Sequence, residues 1–79
     1  MDHFTVIGAG NCRFCAKAIY MLEQNNKEFT YLNLEDNLWI VALFKLADLK
    51  TVPQVFNGHK YIGGCSDLES YLEGDAKNG

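Results

Sequence analysis

The stretch TVPQVFNGHKYIGGCSDL, residues 51–68, gives the clearest local folding signal in the 79-residue chain. Its Asn-Gly pair at 57–58 lies between two apolar-rich runs. This predicts a β-hairpin with a type I′ turn, which needs positive φ at both turn positions. The double glycine at 63–64 ends the second strand. The Ser-Asp-Leu-Glu run at 66–69 fits a capping box and predicts that the last helix begins at Ser66.

The residues before this stretch carry strand and helix signals in turn. β-Branched and aromatic residues predict strands over residues 3–7 and 28–34. The second of these has apolar groups on both faces and is predicted to be central or covered. Between them, apolar residues recur at i, i+3, i+4 and i+7 over residues 15–22, which predicts a helix that begins at Cys12.

The remaining segments complete the predicted order of elements. Residues 36–49 are predicted to form a helix capped by Asp36, although the run LWIVALF within it also fits a buried strand. Residues 74–79 are small and polar and predict a flexible tail. The predicted order is β-α-β-α-β-β-α in one domain over residues 1–79. This is an α/β fold with a four-stranded mixed sheet flanked by helices.

Composition and charge exclude several classes of function. Ten acidic and seven basic side chains give a net charge of -3, and the lysines are scattered. Neither nucleic acid nor a membrane surface is therefore an expected partner. No signal peptide is visible and no apolar run approaches a membrane-spanning length, so a cytoplasmic protein is expected. The small size and one apparent site favour a monomer.

Two of the three cysteines, Cys12 and Cys15, are three residues apart at the predicted helix start. This spacing suits a disulfide, whose Cα atoms lie about 4.4–6.8 Å apart. Free N–H groups, the helix dipole and the adjacent Arg13 are expected to favour the Cys12 thiolate, since sites of this kind lower a cysteine pKa from about 8.5 into a range of roughly 3.5–7.5. Cys15 lies on the apolar face, where burial disfavours its thiolate. Cys12 is therefore predicted to be a nucleophile and Cys15 a resolving thiol.

Two other interpretations of the cysteine pair stay open at this point. A zinc site could use Cys12, Cys15, His59 and Cys65, although the usual second pair of closely spaced ligands is missing, so no metal is expected. An inert structural pair is the other interpretation, although such a pair has no need of a helix start.

Three motifs together resemble a known family. CRFC, TVPQVF and YIGGCSDL, in this order and at this spacing, resemble the glutaredoxins of the thioredoxin superfamily, and the similarity covers residues 3–72. The resemblance implies a thioredoxin-like fold and a glutaredoxin-type thiol–disulfide oxidoreductase. Cys12 matches the cysteine that forms a mixed disulfide with glutathione, and Cys15 matches the resolving cysteine.

The same resemblance implies a glutathione site. The matching positions predict as glutathione-binding residues Arg13, Phe14, Thr51, Val52, Pro53, Gly64, Ser66 and Asp67. Pro53 matches the family's cis-proline, and the Val52 backbone would pair with the cysteinyl part of glutathione. Whether the Val52–Pro53 bond is cis is open, since an ordinary trans proline also fits the start of a strand. Ser66 and Asp67 would hold the γ-glutamyl end at a helix start.

The sequence departs from the family pattern in two places. Arg13 and Phe14 stand where members commonly carry Pro-Tyr. Residues 8–11, Gly-Ala-Gly-Asn, lack the lysine that many members use for the glycine carboxylate of glutathione. Arg13, Lys45 or Lys50 could take its place, and Gln54 could donate a hydrogen bond.

The resemblance also implies partners for the reaction. Glutathione would be the reducing co-substrate, and the substrates would be protein disulfides and glutathione mixed disulfides, with ribonucleotide reductase as one expected protein substrate. Two alternatives stay open. One is a thioredoxin-like electron carrier served by a reductase, and the other is a small metal- or cluster-binding module.

Overall fold

The computed structural model describes the main chain of residues 2–78 and the side chains of residues 2–74. Its elements are β1 Phe4–Gly8, α1 Arg13–Gln24, β2 Phe29–Asn33, a 3-10 turn Leu34–Asp36, α2 Leu38–Leu46, β3 Gln54–Asn57, β4 Lys60–Gly63 and α3 Cys65–Asn78. The predicted order β-α-β-α-β-β-α is therefore confirmed, and the ambiguous run LWIVALF is a helix. No helix within residues 2–78 is both long and apolar enough to span a bilayer.

The four strands form one mixed sheet in the order β2-β1-β3-β4. β1 pairs with β2 in parallel, as the crossover through α1 requires, and both the β1–β3 and β3–β4 pairs are antiparallel. β1 and β3 are therefore the central strands. Residues 28–34 were predicted to be central or covered, and the first of these alternatives is wrong, because β2 lies at an edge of the sheet, where its residues are mostly half-buried.

One face of the sheet carries the main core. Its buried side chains come from two strands and two helices: Phe4, Val6, Ala18, Leu22, Val55, Leu68 and Leu72. The spacing explains this selection, because alternate residues of a strand and every fourth residue of a helix share a face. Leu22 and Leu68 are fully buried. α1 and α3 therefore lie side by side on this face, and together they fix where the start of each helix meets the sheet.

Of the elements within residues 2–78, α2 is the one that covers the opposite face of the sheet. Ile40 and Phe44, one helical turn apart, are its buried residues, whereas Trp39 is 60% exposed. A cavity of about 410 Å³, open to the surface, lies between α2 and the sheet, and its lining is Ile7, Leu32, Trp39, Ile40, Leu43, Phe44, Leu46, Ala47, Leu49 and Phe56. The second face is thus packed much less completely than the first.

The start of α2 differs from the prediction. Asp36 belongs to the preceding 3-10 turn, and the N-cap residue of α2 is Asn37. The side chain of Asn33 accepts a hydrogen bond from the Glu35 N–H at 2.8 Å, and the Asn37 side chain donates to the Asn33 carbonyl at 3.0 Å. These two bonds form an extra turn after β2, so α2 begins later than residue 36.

The hairpin turn also differs from the predicted type. Asn57 pairs with Lys60 as the last residue of β3, which leaves Gly58 and His59 as the two turn residues. Only Gly58 of these two has positive φ, at 59°. This pattern matches a type II′ turn, in which glycine occupies the first central position, rather than a type I′ turn.

The end of the chain was predicted to be a flexible tail over residues 74–79. The α3 helix includes most of this segment, since it runs from Cys65 to Asn78. The side chains of residues 75–79 lie outside the described residues, and the flexibility of this end stays a prediction.

Candidate active site

Cys12 occupies the N-cap of α1, directly before the first helical residue. Its backbone is extended, with φ -106° and ψ 107°, and its Sγ accepts a hydrogen bond from the Cys15 N–H at 3.2 Å. The first turn of α1 contains no acidic residue. A sulfur at this position therefore meets free N–H groups and the positive end of the helix dipole, both of which favour a thiolate.

Cys15 lies one turn further along α1 and is joined to Cys12 by a disulfide, with a Cα–Cα distance of 5.2 Å. Cys15 is 2% exposed, whereas Cys12 is half-buried. The predicted asymmetry is therefore confirmed: one sulfur of the pair is accessible and the other lies in the core. An attacking thiol can reach the sulfur of Cys12 but not that of Cys15.

The loop of residues 51–53 forms the opposite wall of the site. The Val52–Pro53 peptide bond is cis, as the resemblance implied. The Val52 carbonyl oxygen lies 3.8 Å from the Cys12 Sγ. Within residues 2–78, the Val52 N–H donates no hydrogen bond. Val52 thus offers a main-chain donor beside the accessible sulfur, and an extended peptide could pair with it.

The start of α3 closes the far end of this wall. The predicted N-cap at Ser66 is wrong, because the Leu68 N–H donates to the Gly64 carbonyl at 3.0 Å and makes Gly64 the N-cap. Asp67 Oδ2 accepts from the Gly64 N–H at 3.0 Å, which is one half of a capping box. Since Gly64 has no side chain, the other half is missing. The first-turn N–H groups of α3 therefore stay available for an anionic ligand.

A groove of about 280 Å³ runs between α1, the loop of residues 51–53 and α3. It is lined by Phe14, Lys17, Thr51, Val52, Pro53, Gly64, Cys65, Ser66 and Glu69. Six of the eight predicted glutathione-binding residues are in this lining. Arg13 instead lines a neighbouring groove of about 620 Å³ whose lining also includes Cys12 and Cys15, and the Asp67 carboxylate accepts a hydrogen bond from the Gly64 N–H. The role of all eight residues in binding stays a prediction.

Sequence reasoning missed two polar residues of this groove, Lys17 and Glu69. Helical spacing was the signal that could have found them. Lys17 lies three residues after Phe14, and Glu69 lies three residues after Ser66, so each shares a helix face with a predicted site residue.

The loop before Cys12 lacks the lysine expected from the family pattern. A carboxylate contacts its main chain instead. Glu35 Oε1 accepts from the Gly10 N–H at 2.8 Å, and the Tyr31 hydroxyl donates to the Ala9 carbonyl at 3.3 Å. Lys45 and Lys50, considered above as substitutes for that lysine, are not in the lining of the groove. The cation that does line the groove is Lys17.

Cys65 is a free, buried thiol in the lining of this groove. Burial raises the pKa of the Cys65 thiol, and the nearby Lys17 ammonium opposes this effect without cancelling it. As an acid with a raised pKa, Cys65 stays in its unreactive thiol form to a higher pH than an exposed cysteine does.

We therefore expect Cys65 to resist alkylation in the folded chain. With the Cys12–Cys15 disulfide intact, iodoacetamide at about pH 8 should label Cys65 at least about tenfold more slowly than it labels the same chain in urea. Mass spectrometry over time measures both rates, and raising the pH should speed the folded-state reaction. Cys65→Ser is the control that removes the label. Equal rates with and without urea would show that the thiol is exposed.

Within the described residues, no cluster of three or more His, Cys, Asp or Glu side chains could hold a metal ion. His59 lies in the hairpin turn and Cys65 at the start of α3. The four ligands considered for zinc are therefore not brought together in this structure.

Comparison with known proteins adds three findings. The glutaredoxin family model matches residues 4–62. The hybrid peroxiredoxin hyPrx5 of Haemophilus influenzae is 43% identical over 71 residues, which cover 90% of this chain and only 30% of that protein. Glutaredoxin 1 of Salmonella typhimurium is 34% identical over 79 residues, which cover 89% of this chain and 91% of that protein.

A solved structure with a similar fold is that of a buckwheat glutaredoxin–glutathione complex. It superposes with a TM-score of 0.75 at 26% sequence identity, and the match covers 92% of this chain and 71% of the buckwheat chain.

Proposed function

The chain belongs to the glutaredoxin family of thiol–disulfide oxidoreductases, and we propose that glutathione is its reductant. In this proposal it reduces protein disulfides and glutathione mixed disulfides through Cys12 and Cys15. The observation that carries the proposal is the unequal environment of the two sulfurs: Cys12 is accessible at a helix N-cap, and Cys15 is buried one turn away.

The proposed reaction starts from the reduced dithiol. The Cys12 thiolate attacks a substrate disulfide, so that a Cys12–substrate disulfide forms and one substrate thiolate leaves. Cys15 then loses its proton and attacks the Cys12 sulfur, which releases the second substrate thiol and forms the Cys12–Cys15 disulfide. The substrate gains two electrons and two protons. The enzyme dithiol loses the same two electrons and two protons and becomes a disulfide.

Glutathione closes the cycle in two further exchanges. One glutathione thiolate attacks the accessible Cys12 sulfur and displaces Cys15, which takes up a proton. A second glutathione attacks the glutathione sulfur of this mixed disulfide, releases glutathione disulfide and regenerates the Cys12 thiolate. Two glutathione molecules thus supply the two electrons. The accessible position of Cys12 and the burial of Cys15 direct the first attack to Cys12.

We assign glutathione to the groove of about 280 Å³ between the loop of residues 51–53 and α3. The Val52 N–H suits the main chain of its cysteinyl residue, because an extended peptide pairs with a free strand-like edge. The first-turn N–H groups of α3 suit the α-carboxylate of its γ-glutamyl end. Phe14 forms an apolar wall beside Cys12. The buckwheat complex supports this assignment, because a structurally similar protein binds glutathione.

Two similarities suggest which disulfide-containing proteins the chain reduces. Ribonucleotide reductase remains the partner expected from the family resemblance. The similarity to a segment of a hybrid peroxiredoxin makes a peroxiredoxin a second candidate acceptor of electrons from Cys12 and Cys15. In either case we propose a monomer in the cytoplasm, where a reducing environment keeps thiols available.

A thioredoxin-like carrier served by a reductase is the second candidate function. The observation that favours it is the Glu35 carboxylate, which accepts a hydrogen bond from the Gly10 N–H. A negative charge at this place would repel the glycine carboxylate of glutathione and so weaken glutathione binding. This candidate keeps the same two-cysteine exchange with the substrate and changes only the source of electrons.

Turnover with two electron sources tests the choice between these functions. The reduced chain is given a glutathionylated peptide and NADPH, with either glutathione plus glutathione reductase or thioredoxin reductase, and NADPH oxidation is followed. We expect sustained turnover with glutathione and only background with thioredoxin reductase. The reverse result would exclude glutathione as the reductant and support the carrier.

A further inference from the structure

Gln54, the first residue of β3, is a buried polar residue directly after Pro53, and its side chain is 4% exposed. Its Nε2 donates to the Thr51 carbonyl at 2.9 Å and lies 3.3 Å from the Thr51 hydroxyl. Its Oε1 accepts from the Tyr61 hydroxyl at 2.5 Å. Every polar group of this amide is therefore used inside the protein, and Gln54 does not offer glutathione the hydrogen-bond donor that the sequence suggested.

The sheet register explains why these residues meet. Tyr61 on β4 lies opposite Phe56 on β3, and the centroids of their two rings are 5.3 Å apart. Gln54 is two residues before Phe56, so it shares that face of the sheet and is a diagonal neighbour of Tyr61. The three side chains form a continuous link, here called the 61–54–51 link, from an edge strand to the substrate-facing loop.

The loop at the end of this link contributes main-chain groups to the site. Residues 51–53 belong to no helix or strand, and Thr51 is exposed. The next residue, Val52, places its carbonyl oxygen 3.8 Å from the Cys12 sulfur. Holding the Thr51 carbonyl and hydroxyl restricts the rotation of this loop. Small displacements of a substrate-binding group have large effects on rate or affinity.

We propose that Tyr61 and Gln54 are positioning residues, which hold the loop of residues 51–53 so that Val52 meets an extended substrate beside Cys12. Tyr61 acts through Gln54, and Gln54 acts through Thr51. This inference rests on the proposed function in one respect, the pairing of the Val52 main chain with the substrate. It applies equally to glutathione and to the strand of a protein disulfide.

Tyr61→Phe is the sharpest test, because it removes the hydroxyl and keeps the ring contact with Phe56. Two assays are used: a glutathionylated peptide with glutathione and glutathione reductase, and a disulfide peptide with dithiothreitol. We expect KM to rise by about three- to tenfold in each, because the buried Gln54 oxygen loses its donor, with kcat changed by less than about twofold. Tyr20→Phe, on an exposed part of α1, is the matched control and should leave both values unchanged.

Gln54→Met adds a second test at nearly constant side-chain volume. It should raise KM at least as much as Tyr61→Phe does. The KM of the double variant should be no higher than that of Gln54→Met alone, because Tyr61 acts only through Gln54. If Gln54→Met does not fold, Tyr61→Phe decides the matter alone. A KM within about twofold of wild type in both assays for Tyr61→Phe, or effects that add in the double variant, would overturn the inference.

The two assays separate this inference from the proposed function. If the wild-type chain turns over only the disulfide peptide with dithiothreitol, then glutathione dependence is wrong. The dithiothreitol assay still measures the effect of Tyr61→Phe in that case. If the wild-type chain is active in both assays and Tyr61→Phe behaves like wild type, the proposed function stands and the 61–54–51 link has no positioning role.

Discussion

Cys12→Ser is expected to lose all disulfide-reducing activity, to the uncatalysed background. Cys12 is the accessible sulfur of the pair, and Cys15 is too buried to replace it as the group that attacks a substrate. A serine hydroxyl at the same N-cap is not ionised near neutral pH and cannot form a disulfide. A fall of about 10³-fold or more is therefore expected in the coupled NADPH assay, with both a disulfide peptide and a glutathionylated peptide.

Cys15→Ser is the matched variant that separates the two roles. It keeps the accessible nucleophile and removes the resolving thiol, so it should still deglutathionylate a peptide but lose most turnover of a protein disulfide. Circular dichroism of both variants controls for folding, and serine should retain the N-cap of α1 in Cys12→Ser because it is a preferred capping residue. Activity of a folded Cys12→Ser with either substrate would refute the mechanism.

Gly63→Ala is expected to be the most damaging small substitution near the groove. Gly63 has φ 125°, where L-residues are strained by about 1–3 kcal/mol. An added Cβ would also collide with the Asp67 carboxylate, which caps α3 through the Gly64 N–H. Loss of such a cap costs about 0.5–2 kcal/mol. We therefore expect a fall in Tm of roughly 10–20 °C, measured by thermal circular dichroism.

Gly58→Ala isolates the backbone part of this effect. Gly58 also has positive φ, 59°, but an added Cβ there meets no atom within 4 Å. Its expected cost is only about 1–2 kcal/mol, from the left-handed conformation alone. Asp67→Ala in the Gly63→Ala background should recover part of the loss, because it removes the collision. If Gly63→Ala is no less stable than Gly58→Ala, the contact with Asp67 has no effect on stability.

Much of the fold could be predicted because local periodicity decides it. The apolar stripe over residues 15–22 placed Cys15, Ala18 and Leu22 on one helix face, and the structure buries all three. The same reasoning placed an accessible Cys12 at the helix start. These features depend on the spacing of neighbouring residues, which the sequence contains directly.

The features that sequence reasoning missed depend on contacts between distant segments. The edge position of β2 follows from β1 pairing with β3 on its other side, which no local pattern reveals. The true start of α3 depends on the Asp67 carboxylate bonding to Gly64 rather than on a serine cap. The contact between Gln54 and Tyr61 depends on the register of β3 and β4, which includes a bulge between Val55 and Phe56.

The incomplete packing of α2 has a consequence for how unfolding is observed. Trp39 is the only tryptophan of the chain, and it lies on α2, beside the cavity of about 410 Å³. Its intrinsic fluorescence therefore reports on the detachment of α2, whereas circular dichroism reports on all helices and strands. Segments with few buried apolar contacts open before the rest of a protein. A fluorescence transition that precedes the dichroism transition would accordingly mark a sub-global opening rather than loss of the active site.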